Sequence, residues 1–140
     1  MNTPIPYPGH TADMAEQPHD EMRAYVGRGL LKGRRALITG GDSGIGRAVA
    51  LKLASEGAAV VVNDLDEAPA LETIAAIEAA GGRAAACIGN VTAPDFGDRF
   101  VQTALDQFGD LHIIVNNAGY TRDAVIQRQT DDQFQAMLDV

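Results

Sequence analysis

A single cysteine, Cys87, stands in the 140 residues, tryptophan is absent, and lysine occurs only as Lys32 and Lys52. One cysteine excludes an internal disulfide, and its place in the apolar stretch Ala84 to Ile88 suits a small hydrophobe buried in a strand. The three histidines, His10, His19 and His112, share no ligand spacing, so no metal site is expected. Cations are outnumbered: 11 Lys and Arg against 19 Asp and Glu leave a formal charge of -8. That sign disfavours nucleic acid and anionic membrane surfaces as partners and leaves room for a small, locally guided ligand. No apolar run approaches the ~20 residues that span a bilayer. The first thirty residues also lack the charged-then-apolar order of a secretory signal, so a cytoplasmic protein is expected.

What is present is enough for one domain, since 46% of the residues are hydrophobic in a chain of ordinary domain length. Residues 1–31 carry Pro4, Pro6, Pro8 and Pro18, several carboxylates and few large apolar side chains, and read as an extended N-terminal arm. The alternative is a strap packed over the body or over a neighbouring subunit, with Tyr25, Val26, Leu30 and Leu31 as anchors.

From residue 32 to 140 the pattern changes to short apolar runs, each followed by a segment of helical spacing. Ala36 to Ile38 lead to a helix from about Gly44 to Glu56, with Ile45, Val49 and Leu53 on one face and Gly57 as terminator. The continuously apolar run Ala58 to Val62 suits a parallel strand covered on both faces. A helix capped by Asp66 or a neighbour follows to about Ala80, with Ala70, Ile74 and Ile77 as its buried stripe. The run Arg83 to Gly89 leads to a helix start at Thr92-Ala93-Pro94-Asp95, read as threonine cap, first-turn proline and following acid. Phe96, Phe100, Ala104 and Phe108 repeat every four residues until Gly109. The run Leu111 to Val115, a loop, and a last helix from the capping box Thr130 to Gln133 complete the chain. Such alternation predicts an α/β fold, a doubly wound parallel sheet of about four strands in order 3-2-1-4 with helices on both faces.

Three segments fall at strand ends. Thr39-Gly40-Gly41-Asp42-Ser43-Gly44-Ile45-Gly46 occupies the first strand-to-helix turn, where glycines admit a ligand to the backbone and the helix start offers N–H groups to a pyrophosphate. Asp64 follows the second strand, about 20 residues on, where a carboxylate can accept hydrogen bonds from an adenosine ribose. A 2′-phosphate beside Asp64 would meet like charge, and neither Ser43 nor Leu65 supplies a cation, so NAD is preferred over NADP. Asn116-Asn117-Ala118-Gly119 ends the fourth strand at the carboxyl edge beside the switch point.

Taken together, these segments resemble the classical short-chain dehydrogenase/reductase family, over about Lys32 to Val140. The resemblance implies a Rossmann-type, dinucleotide-binding domain. It implies that Gly40, Asp42, Ser43, Gly44, Ile45 and Gly46 hold the pyrophosphate, that Asn90 and Val91 lie against the adenine, and that Asn117, Ala118 and Gly119 border the ribose nearer the nicotinamide. Many family members have aspartate where Asn90 stands; its amide oxygen still offers an acceptor to the adenine amino group. Thr121-Arg122-Asp123 looks like the 3-oxoacyl-carrier-protein reductase branch, whereas Gly29-Leu30-Leu31-Lys32-Gly33 looks like a subgroup with extended N-termini, so the substrate stays open. Dimers or tetramers are common among such relatives, which makes a homo-oligomer the implied assembly.

The family's chemistry uses a tyrosine, a lysine four residues later and an upstream serine. Here Tyr7, Tyr25 and Tyr120 are followed four residues on by Thr11, Gly29 and Ala124. No catalytic residue is therefore assigned, and the domain reads as incomplete, with Leu111 to Val115 as an exposed apolar edge. The expected function is the NAD(P)-binding front half of an oxidoreductase acting on an alcohol or ketone, inactive alone. The alternatives are a non-catalytic nucleotide-binding or interaction module and a non-functional truncated product.

Overall fold

A computed structural model describes residues 9–140; the expectations that fall on Pro4, Pro6, Tyr7 and Pro8 lie outside these residues. Four strands, β1 (Arg35–Thr39), β2 (Ala59–Asn63), β3 (Arg83–Ala86) and β4 (Ile113–Val115), form one sheet in the order β3-β2-β1-β4. All three pairings are parallel, with Leu37 opposite both Val61 and Ile114, and Val61 opposite Ala85. The expected topology is thus borne out.

Helices α1 (Gly44–Ser55), α2 (Glu67–Ala79) and α3 (Phe96–Phe108) connect the strands, and α4 (Asp131–Leu138) follows β4. Because strand side chains alternate, β1 and β2 feed two separate cores. Ile38, Val60 and Val62 pack with Ala50, Leu51, Ala70, Ile74 and Ile77 of α1 and α2. On the other face, Leu37, Ala59, Val61 and Cys87 pack with Phe96, Phe100, Ala104 and Phe108 of α3. The stripes read for α2 and α3 are the ones buried, and Cys87 is free and buried as expected.

Three local expectations need correction. Ile45 is 77% exposed at the tip of α1, because the residues turned fully inward are Gly46, Ala50 and Leu51; Val49 and Leu53 are only half-buried. Small residues at 46 and 50 bring α1 close to the sheet, and that requirement outranks side-chain size. Thr92 does not cap α3: its N–H and hydroxyl both donate to Asn90 Oδ1, at 2.9 and 3.0 Å, which closes a local turn and delays the helix to Phe96. Asp66 stands at the N-cap of α2 without a side-chain cap bond and faces His10 instead. At α4 the capping box between Thr130 and Gln133 is present in both directions.

Among the described residues, the segment before β1 holds a single 3-10 turn, Thr11–Asp13, and lies on the body through Met22 and Leu31, which pack against the core of α1 and α2, and through polar contacts. Val26 and Leu30 are 83% and 64% exposed. The buried Glu56 carboxylate, at the end of α1, instead accepts from the Tyr25 hydroxyl and from the amides of Arg28 and Leu30, at 3.0 and 2.9 Å. No helix among the described residues is long and apolar enough to cross a membrane.

Candidate functional site

Every strand of a parallel sheet ends on the same edge, so the turns after β1, β2, β3 and β4 gather there. The turn after β1 is locked to its neighbours on both sides. On the β2 side, Gly41 N donates to Asn63 O at 3.0 Å, and Asp42 N points to Asp64 Oδ2 at 3.4 Å. On the β4 side, Asn117 Nδ2 donates to the carbonyls of Thr39 and Gly40, at 3.0 and 2.9 Å, while Thr39 Oγ1 accepts from Asn117 N and Ala118 N. Gly46 is required by close approach: a Cβ there would stand 1.7 Å from Gly40 O and 2.6 Å from Asn117 Nδ2. The start of α1 is thereby pulled down onto the turn, with its first N–H groups lacking intrahelical partners.

Asp64 sits half-buried at the tip of β2, and Leu65 N donates to its Oδ1 at 2.7 Å. Burial first, and the Asp42 carboxylate second, push its carboxyl up to about 6. Asp42 also accepts from the Ser43 hydroxyl at 2.8 Å, so Ser43, the residue before α1, makes no side-chain cap bond to its own helix. The Asp42 and Asp64 carboxylates therefore both stand beside the anion-seeking end of α1.

The structure brings Gly40, Asp42, Ser43, Gly44, Ile45, Gly46 and Asp64 together at the tips of β1 and β2, with Asn117 and Ala118 bonded to the same turn. Gly119 follows on the exposed loop. Asn90 and Val91 lie beyond β3, linked to this edge through Gly89 N, which donates to Asp64 O at 3.0 Å. Asn90 Oδ1, read as an adenine acceptor, already holds two hydrogen bonds from Thr92.

Several polar residues escaped sequence reasoning. Asn63, 1% exposed, donates from Nδ2 to the carbonyls of Cys87 and Gly89, tying β2 to β3 below the edge. Asp20, 9% exposed, reaches from the segment before β1 to accept from Gly44 N at 2.8 Å. An asparagine inside a run of valines was the available signal for the first. For the second there was none, because nothing in the spacing joins position 20 to position 44.

This arrangement defines a Rossmann-type parallel sheet, and comparison with known proteins assigns it more narrowly. The family model described as short chain dehydrogenase matches residues 34–140. Similar proteins include a 3-oxoacyl-[acyl-carrier-protein] reductase of Synechocystis, 42% identical over 106 residues, covering 75% of this chain and 43% of that protein. Another, the uncharacterized oxidoreductase YhdF of Bacillus subtilis, is 41% identical over 127 residues, covering 89% of this chain and 44% of the relative. Among solved structures, a short chain dehydrogenase from Mycobacterium avium superposes with a TM-score of 0.77 at 40% identity, covering 79% of this chain and 43% of that one. One from Mycobacterium smegmatis gives 0.79 at 33% identity, over 83% and 49%. The chain belongs to the short-chain dehydrogenase family of oxidoreductases, and spans less than half the length of these relatives.

Proposed function

We propose that this chain is the dinucleotide-holding part of a cytoplasmic oxidoreductase and takes NAD in preference to NADP. The observation that carries the reading is the juxtaposition of Asp64 with the start of α1: the carboxylate faces the amide of Asp42 across the turn whose N–H groups would meet the pyrophosphate. The residues fit the group. On its Cβ side Gly44 is open, with nothing within 4 Å of a Cβ built there, and Gly46 lets the helix start approach closely. Gly44, Ile45 and Gly46 offer backbone N–H groups to the phosphates, Asp64 accepts from the ribose hydroxyls, and Asn117, Ala118 and Gly119 border the second ribose. At Asn90 the side-chain oxygen is engaged by Thr92, so Val91 supplies the adenine contact.

When bound, the nicotinamide supplies a carbon that gives or accepts hydride against a hydroxyl or carbonyl carbon of a small substrate. This chain's own share is to orient the dinucleotide; none of its tyrosines is followed four residues later by lysine, so no proton-handling residue is assigned within it. The test is a fluorescence titration of the purified chain with NADH. Saturable enhancement is expected below millimolar NADH, and a flat titration to that concentration overturns the proposal.

A further inference from the structure

The segment before β1 is fastened at both ends of α1. At the helix's last turn Glu56 gathers Tyr25, Arg28 and Leu30, and Leu31 N donates to Glu56 O at 2.8 Å. Gly27 lies flush against the same end: a Cβ at 27 would stand 1.8 Å from the Ser55 carbonyl oxygen. Between the ends, Met22 packs against the core of α1 and α2. At the helix's first residue, the buried Asp20 sets its Oδ2 2.8 Å from Gly44 N.

An α-helix leaves its first N–H groups without internal partners and presents partial positive charge there. Here the adjoining Ser43 does not serve them, because its hydroxyl is turned to Asp42. Asp20 does, and it brings a full negative charge to the place where a pyrophosphate would bring its own. One N–H hydrogen cannot be held fully by two anions, and two close anions repel.

We infer that the arm is a built-in competitor for the dinucleotide: Asp20 occupies the Gly44 amide of the ligand-free chain and is displaced when the pyrophosphate binds. The inference rests on the reading that this turn holds a dinucleotide. Its consequence is a lowered apparent affinity, since only chains with the arm lifted are competent.

NADH binding is to be measured by fluorescence titration on the 140-residue chain and on Asp20→Ala, Asp20→Asn and Gly27→Ala, the last unseating the arm without touching the turn. Tightening of roughly fivefold or more is expected for Asp20→Ala and Gly27→Ala, with Asp20→Asn between because it keeps an acceptor and loses the charge. Trypsin cleavage after Arg23 and Arg28 should accelerate when NADH is added to the unmodified chain. Unchanged or weaker binding in both Asp20 variants, or NADH slowing arm cleavage, overturns it while the cofactor reading stands. Absence of binding in every variant overturns the cofactor reading, and the inference falls with it.

Discussion

Replacing Asp64 by asparagine tests the cofactor preference at its source. The carboxylate is half-buried, and its carboxyl is pushed up to about 6, so at pH 8 it is charged. A unit charge of a 2′-phosphate 4 Å away would meet about 4 kcal/mol of repulsion at an effective dielectric of 20. Allowing roughly half of that to be lost to solvent at a partly open rim leaves ~2 kcal/mol, or about 30-fold in preference. Asp64→Asn keeps the size and an acceptor but removes the charge, so the ratio of NADH to NADPH affinity should fall at least about tenfold at pH 8. Acid should do the same to the unmodified chain, because as pH drops through 6 the carboxyl gains a proton and the repulsion disappears. The 2′-phosphate itself titrates near pH 6, so Asp64→Asn measured at pH 5 and pH 8 isolates the ligand's share. Equal preference in Asp64→Asn and the unmodified chain at pH 8 would refute the charge argument.

Other perturbations follow from the same geometry. Gly46→Ala drives a methyl onto Gly40 O, 1.7 Å from its ideal place, and should destabilise the chain by about 3 kcal/mol or more, read as a lowered urea midpoint; an unchanged midpoint refutes the close packing. Glu56 titrates in the opposite sense to Asp64: the Tyr25 hydroxyl first, then the Leu30 and Arg28 amides, hold its carboxyl down at about 2, against an ordinary 4.5. Folded-state depression means that its contribution is complete above 4.5 and is lost as pH falls through about 2. Amide exchange at Arg28 and Leu30 should therefore show the arm loosening over that window in the unmodified chain and no such step in Glu56→Gln.

Much of the fold was legible because its large side chains repeat at one spacing. Phe96, Phe100, Ala104 and Phe108 sit one turn apart and are all buried, as are Ala70, Ile74 and Ile77. The same rule misled at α1, where apolar Ile45 holds a matching position but the inward face belongs to Gly46 and Ala50. Periodicity of bulk finds a face that fills space, and α1 needs a face that vacates it. At α3, Thr92 and Asp95 have the composition of a helix start, yet the amide of Asn90 captures Thr92 two residues away. A local turn that forms with so little chain between its ends wins over a cap that must wait for a helix.

The site divides along a similar line. The glycine turn, Asp64 and Asn117 were readable because strand, turn and helix place them in order along one sheet edge. Residues that work by reaching across the chain, Thr39 to the amides of Asn117 and Ala118, Glu56 to the arm, and Asp20 to Gly44, depend on tertiary packing that no spacing encodes. Asp20 changes the meaning of the legible part. A glycine-rich helix start is read as empty donors awaiting a phosphate, but here a carboxylate of the same chain already uses one of them. Seating the arm and seating a dinucleotide thus draw on the same amide. Any substitution that strengthens the arm's hold on α1 should weaken the ligand, and any that frees the turn should make the ligand-free chain less stable.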